Sequence, residues 1–189
     1  MTALALEQNW ITPEEYLAGE QLSDIRHEYA CGRVYAMAGS SAAHNRISGN
    51  LHAELNLHLR GKACEAFQND MKIRMEAGSE TFFYYPDVMV ACDPSDNEEY
   101  FRRHPKVIVE VLSPSTERID SSEKLRAYQS IPSLEVYVLI SQKAAEVTVF
   151  RRVNQWRREV VAGASGRLEI AELEFGIDFG RLYERTGLV

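Results

Sequence analysis

The run Val107-Ile108-Val109-Glu110-Val111-Leu112 constrains this chain most. It is apolar on both of its alternating faces and rich in β-branched residues, so it reads as a strand of a sheet covered on both sides. Glu110 interrupts it. A carboxylate in such a strand is expensive unless a hydrogen-bond partner, a basic side chain or a metal ion compensates it. A second acid sits in similar surroundings. The stretch YYPDVMVAC, residues 84 to 92, carries Asp87 ahead of an apolar segment. Ile108, Glu110 and Leu112 share one strand face, and Tyr85, Asp87 and Met89 share another. If the two strands are neighbours, both carboxylates point to one side at one level, where they repel unless one is protonated or a cation lies between them.

The rest of the chain supplies what such a strand needs. Thr12 caps a short helix that opens with Pro13 and two acids. HEYACGRVYAMAGS alternates around Cys31-Gly32 as a β-hairpin. Ile47, Leu51, Leu55 and Leu59 recur every four residues and mark a long amphipathic helix that Gly61 ends. Met71, Ile73 and Met75 alternate against Lys72 and Arg74, and TFFYYPDVMVAC reads as one strand with Pro86 at an edge, a bulge or its start. DPSDNEEYFRRHP reads as a polar loop. A helix beginning near Asp120 or Ser121 places Leu125, Tyr128 and Ile131 on one side. LEVYVLI, EVTVFRR and QWRREVVAG follow as strands, the last two as a meander, before a short strand and a terminal helix. This order predicts an α/β fold, borderline α+β, with a mixed sheet flanked by helices, an N-terminal β-hairpin and a C-terminal β-meander.

With 189 residues, 45% of them hydrophobic and 26% charged, the chain suits one globular domain over residues 1–189 with its core at about 12–160. The formal charge of −7 gives no global basic field, which lowers the expectation of a DNA partner without removing it. Cys31, Cys64 and Cys92 are scattered and odd in number, so they read as neither a disulfide framework nor a zinc site, and a reducing cytoplasm is the expected location. MTALALEQNW has no basic n-region and does not read as a secretory signal, and no window reaches the length of a membrane span.

A divalent ion resolves the repulsion between Asp87 and Glu110. Mg²⁺ (or Mn²⁺) takes oxygen ligands and needs only one or two protein carboxylates besides water, and the Val111 carbonyl offers a third oxygen. Such an ion activates water and neutralises phosphate charge. A lysine beside the attacking water would assist. Position 112, on the face of Glu110, is leucine; the nearest alternative downstream is Lys124, on the helix after the strand, and Lys72 is its rival. A purely structural reading competes at each position: Asp87 as a strand-entry residue, Glu110 as an ion-pair partner, Asp70 and Lys72 as a surface pair, Tyr85 and Tyr128 as core. Ser113 and Thr116 read as turn-shaping, since no nucleophile elbow surrounds them, and Asp120 as the cap of the Lys124 helix. FRRHPK (Arg102, Arg103, His104, Lys106) and the arginines 151, 152, 157 and 158 are the basic patches available for phosphate, with Trp156 expected to cover the meander.

"PD" at 86–87, followed by "EVL" at 110–112 after an apolar strand, resembles the PD-(D/E)xK nuclease superfamily. YYPDVMVAC, HPKVIVEVLSPSTERIDSSEKLRAYQSIPSLEVYVLI, YACGRVYAMAGSSAAHNRISGNLHAEL and CEAFQNDMKIRM together resemble the Uma-two family of restriction-endonuclease-like proteins. The resemblance spans roughly residues 12 to 160. It implies a restriction-endonuclease-like core, a metal site from Asp87 and Glu110 with the Val111 carbonyl, Lys124 in place of the lysine missing at Leu112, and His44 approaching the site from the head of the long helix. Glu54, further along that helix, matches an acid that this fold often sends to the metal, though a solvated side chain is the simpler expectation. The activity implied is endonucleolytic hydrolysis of DNA by a homodimer. Leu112 leaves the alternative of an inactive fold used for binding or oligomerisation.

Overall fold

The computed structural model describes residues 10–113 and 120–189. Thr12 starts the first helix, α1 (Pro13–Glu20), through a capping box: its hydroxyl accepts from the Glu15 backbone and the Glu15 carboxylate accepts from its own. The hairpin β1 (His27–Ala30) and β2 (Arg33–Ala36) turns through Cys31 and Gly32, both at positive φ. That geometry matches the right-handed twist of the paired strands. Gly32 is also required by space, because the Trp10 ring lies where a Cβ would stand. Next come α2 (Ala42–Leu59), β3 (Glu65–Gln68), β4 (Lys72–Ala77), β5 (Glu80–Tyr84), β6 (Val88–Ala91), the short β7 (Phe101–Arg102) and β8 (Pro105–Leu112). A π-helical turn, Asp120–Lys124, leads into α3 (Leu125–Gln129). The chain ends with β9 (Val136–Ser141), β10 (Glu146–Arg151), β11 (Arg158–Ala162), β12 (Arg167–Ile170), β13 (Phe175–Asp178) and α4 (Phe179–Leu182).

These elements form a mixed α/β architecture around a six-stranded sheet ordered β11-β10-β9-β8-β6-β3. β8 pairs parallel with β9 and antiparallel with β6, so the run 107–112 is central, as its composition demands. One face carries Val107, Val109 and Val111 against Ile47, Leu51, Leu55 and Leu59 of α2 and the β12–α4 segment. The other face carries Ile108, Met89, Tyr137 and Leu139. It packs on Tyr128 and Ile131 from the α3 region, and on Ile73, Met75 and Tyr84 of a second sheet ordered β2-β1-β5-β4-β7. The outer face of that second sheet packs Phe83, Tyr29 and Phe101 on Tyr16 of α1.

Three expectations need correction. TFFYYPDVMVAC is not one strand: β5 belongs to the five-stranded sheet and β6 to the six-stranded sheet. Pro86, which lacks a ladder donor, stands in the crossing between them. The polar loop 93–105 contributes β7, which pairs parallel with β4. Cys64 and Cys92 form a disulfide, because the β3–β6 register that sets Glu65 opposite Ala91 brings the two flanking cysteines together, with Cα atoms 4.0 Å apart. Cys31 stays a free thiol. No helix among the described residues is long and apolar enough to cross a membrane.

Leu51 is fully buried at the centre of the α2–sheet contact. Leu51→Ala is expected to lower unfolding stability by about 2–5 kcal/mol, read from the midpoint of a urea transition at unchanged slope; a loss below about 1 kcal/mol would contradict this packing.

Candidate functional site

The crossing Tyr85-Pro86-Asp87 builds the site. β6 begins at Val88 opposite Val109, so Asp87 stands one step beyond the ladder, at the register position of Glu110. Its carboxylate continues the ladder: the Val111 backbone N–H donates to Asp87 Oδ2 at 2.7 Å. A strand residue's N–H and C=O lie on the same side of its strand, so the Val111 carbonyl also faces this edge. His44 approaches Asp87 from α2, its Nε2 3.2 Å from Oδ2. The helix start is anchored there. Ser41 caps it by accepting from the His44 N–H and donates to Gln142, and Gln142 donates to the Leu112 carbonyl at the end of β8.

Glu110 is 4% exposed and Lys124 5%. Lys124 Nζ lies 3.3 Å from Glu110 Oε1, and the Tyr128 hydroxyl donates to the same oxygen at 2.9 Å. Burial, and then the Glu110 charge, push the Tyr128 phenol well above its ordinary pKa, so it stays a neutral donor. The lysine and the tyrosine reach one carboxylate oxygen because they are four residues apart across the junction of the π-helical turn and α3.

A third acid, which the sequence reading did not single out, completes the group. Glu28 Oε1 lies 2.9 Å from Lys124 Nζ and accepts from the Tyr85 backbone N–H at 3.4 Å. The β1–β5 register that pairs Tyr29 with Phe83 sets Glu28 opposite Tyr84, whose ring lies 5.2 Å below the same ammonium. Burial, and then the Glu28 charge, raise the Tyr84 phenol to about 12. In the hairpin's alternation Glu28 looks like any outward-facing acid; only the stacking of the second sheet on the first turns it inward. Lys124 therefore sits between Glu28 and Glu110, with an aromatic floor.

The other candidates separate from this group. Glu54 pairs with Arg181 at 2.6 Å, away from Asp87. Lys72 is 6% exposed and donates to the Tyr85 hydroxyl at 3.1 Å, so it is not part of a surface pair. Asp70 pairs instead with Arg26. The basic stretches are largely committed to structure. Arg103 pairs with Glu98, His104 with Asp93 and Lys106 with Glu135. Arg102 lies over the Phe67 ring, Arg151 pairs with Glu159 and Glu172, and Arg152 donates to the Leu134 and Ile131 carbonyls beneath Trp156. Thr116 and the side chain of Asp120 lie outside the described residues. Among those residues no three acids, histidines or cysteines converge to cage an ion.

Two proteins of Synechocystis sp. resemble this chain along most of their length. Slr1290 is 37% identical over 172 residues, covering 89% of this chain and 90% of that protein. Sll1609 is 36% identical over 170 residues, covering 87% and 92%. A crystal structure described as "a putative nuclease belonging to DUF820", from Anabaena variabilis, superposes with a TM-score of 0.73 over 93% of this chain and 99% of that one, at 17% identity. The two share a fold. The model of the Uma2 family, "Putative restriction endonuclease", matches residues 13–180. The chain belongs to the Uma2 family.

Proposed function

We propose that the protein is a metal-dependent endonuclease that hydrolyses DNA phosphodiester bonds, with Asp87 and Glu110 holding a Mg²⁺ or Mn²⁺ ion and Lys124 replacing the lysine absent at Leu112. The observation that carries this reading is the 3.3 Å contact between Lys124 and Glu110. A lysine from the following helix reaches the carboxylate that a lysine at 112 would accompany, at the strand end where Asp87 stands.

The donor set fits a hard, water-rich ion. Two carboxylates and the Val111 carbonyl are oxygens on neighbouring backbone, and an ion of the magnesium kind keeps several waters and does not need a protein cage of three acids. Bound there, it would lower the pKa of a coordinated water and neutralise charge on the phosphate. The chain's own residues do the rest. His44 and the Val111 N–H fix the Asp87 carboxylate in one orientation. Lys124, steered by Glu28 and Glu110, orients the attacking water and stabilises the charge gathering on the phosphate oxygens. The water oxygen attacks phosphorus in line and gives up a proton to solvent, the opposite P–O bond breaks, and the leaving oxygen takes a proton from solvent. The reading that keeps this fold as an inactive binding or oligomerisation module draws on one observation: both acids already have internal partners. A homodimer suits cleavage of two strands and enters here as part of the proposal.

Calorimetric titration with Mn²⁺ is expected to show saturable binding that Asp87→Ala and Glu110→Gln abolish; binding by both variants equal to the parent removes the assignment. Cleavage of plasmid DNA by the parent in Mn²⁺ is expected to fall by about 10²–10³-fold in Lys124→Ala, and a parent that does not cleave supports the inactive reading. Glu28→Gln, which removes the charge that holds the ammonium at 2.9 Å, is expected to lower kcat by about 10²-fold with KM nearly unchanged. An equal rise in KM at constant kcat would show that Glu28 serves binding and not the position of Lys124.

A further inference from the structure

A cavity of about 360 Å³ reaches the Tyr85-Pro86-Asp87 crossing at Tyr85, lined by Glu20, Asp24, Arg26, Lys72, Tyr85 and Tyr100 among others. Its floor holds an unusual cation. Lys72 starts β4 opposite Tyr85 and is almost fully buried, yet its one hydrogen bond goes to a neutral phenol, the Tyr85 hydroxyl. Among the described residues no carboxylate lies within ion-pair distance of it. The Tyr85 and Tyr100 rings flank its Nζ at 5.0 and 5.9 Å. The Tyr85 hydroxyl donates its own hydrogen bond to Glu20, which also accepts from the His27 backbone and faces the His27 ring, so the nearby acid is held by other donors. Burial lowers the Lys72 pKa, and the more distant charges of Glu20 and Asp70 offset this in part. A buried ammonium without an anion is unfavourable, and an anionic ligand is what would relieve it.

The cavity is also tied to the catalytic acid. Asn69 donates its backbone N–H to the Asp87 carbonyl, and Arg26 at the cavity mouth donates to the Asn69 carbonyl while pairing with exposed Asp70. Tyr85, which forms the wall, is two residues from Asp87, a span of about 7 Å in extended chain. That is the reach from one phosphate of an extended strand to a neighbouring nucleotide. Tyr100 lines the cavity and is 43% exposed.

We propose that this cavity is a nucleotide subsite, in which Lys72 at the floor and Arg26 at the mouth take a phosphate of the strand being cut, one nucleotide from the scissile bond, while Tyr100 stacks on the attached base. The proposal rests on the nuclease reading for its place in the reaction and on the buried Lys72, which has no ion-pair partner among the described residues, for its chemistry. Stacking on a rim tyrosine tolerates any base and favours an unpaired one, so the subsite suits a strand end, a frayed step or single-stranded DNA better than an intact duplex.

The test is calorimetric titration of the full chain with deoxyadenosine 5′-monophosphate in excess chelator, where the ion site plays no part. The parent is expected to bind saturably. Lys72→Met is expected to weaken binding about tenfold or more, the scale of a lost charge-assisted contact. Tyr100→Ala is expected to weaken it about fivefold or more, the scale of a lost stacking partner. Lys72→Met keeps the side-chain volume and removes a desolvated charge, so its Tm is expected to stay level or rise. No saturable binding by the parent up to about 10 mM, undiminished binding by Lys72→Met, or inorganic phosphate binding as tightly as the nucleotide each overturns the proposal. So does a fall in the Tm of Lys72→Met without loss of binding. The two readings fail separately. A parent that binds the nucleotide in chelator but cleaves no DNA in Mn²⁺ retains the subsite and loses the nuclease, and cleavage without nucleotide binding does the reverse.

Discussion

Glu110 puts a negative charge into the central strand of a sheet beside Ile108 and Leu139, and the fold has to bring compensating groups to it. They come from the layer above: Lys124 and Tyr128 both reach Oε1 from the turn of helix that follows the strand. Lys124 in turn has to be steered, and the five-stranded sheet supplies Glu28 on its other side and Tyr84 beneath it. One buried carboxylate therefore fixes how two sheets and a helix meet. Removing one partner from such a cluster leaves another charge stranded in a dry place, which is far more damaging than the net worth of the contact suggests.

The chain crosses from one sheet to the other through Tyr85-Pro86-Asp87, and the crossing concentrates chemistry that neither sheet holds alone. Asp87 turns to the end of β8, where the Val111 N–H and His44 hold it. Tyr85 gives its backbone N–H to Glu28 and its ring to the cavity over Lys72. Pro86 suits the place because a residue between two ladders has no use for a donor. The helix that carries His44 is moored to the same strand end through Ser41 and Gln142, so side-chain and backbone contacts from α2 and β8 together brace the parts around Asp87.

Much of this was legible. The period of Ile47, Leu51, Leu55 and Leu59 defines the covering helix, and the valine-rich run 107–112 defines the central strand, because burial on both faces leaves little choice of residue. Lys124 was reachable by reasoning from what Leu112 lacks. Other features depend on register and layer stacking, which short stretches of sequence do not encode. Each half of TFFYYPDVMVAC is strand-like, and only pairing partners assign the halves to different sheets. Glu28 and Lys72 occupy ordinary polar positions in alternating strands; Glu28 becomes half-buried where its sheet stacks on the six-stranded one, and Lys72 becomes buried beside the end of α1. The Cys64–Cys92 bond follows from the β3–β6 register and from nothing in the spacing of the cysteines.

The place where a divalent ion lodges decides the role of Asp87 and Glu110 most directly. Anomalous difference density from a crystal soaked in manganese is predicted to show one peak at coordinating distance, about 2.0–2.3 Å, from carboxylate oxygens of both Asp87 and Glu110, with the Val111 carbonyl among its neighbours and the Lys124 ammonium beside it. A crystal in which manganese is bound elsewhere, with these two carboxylates still facing only their internal partners, would contradict it.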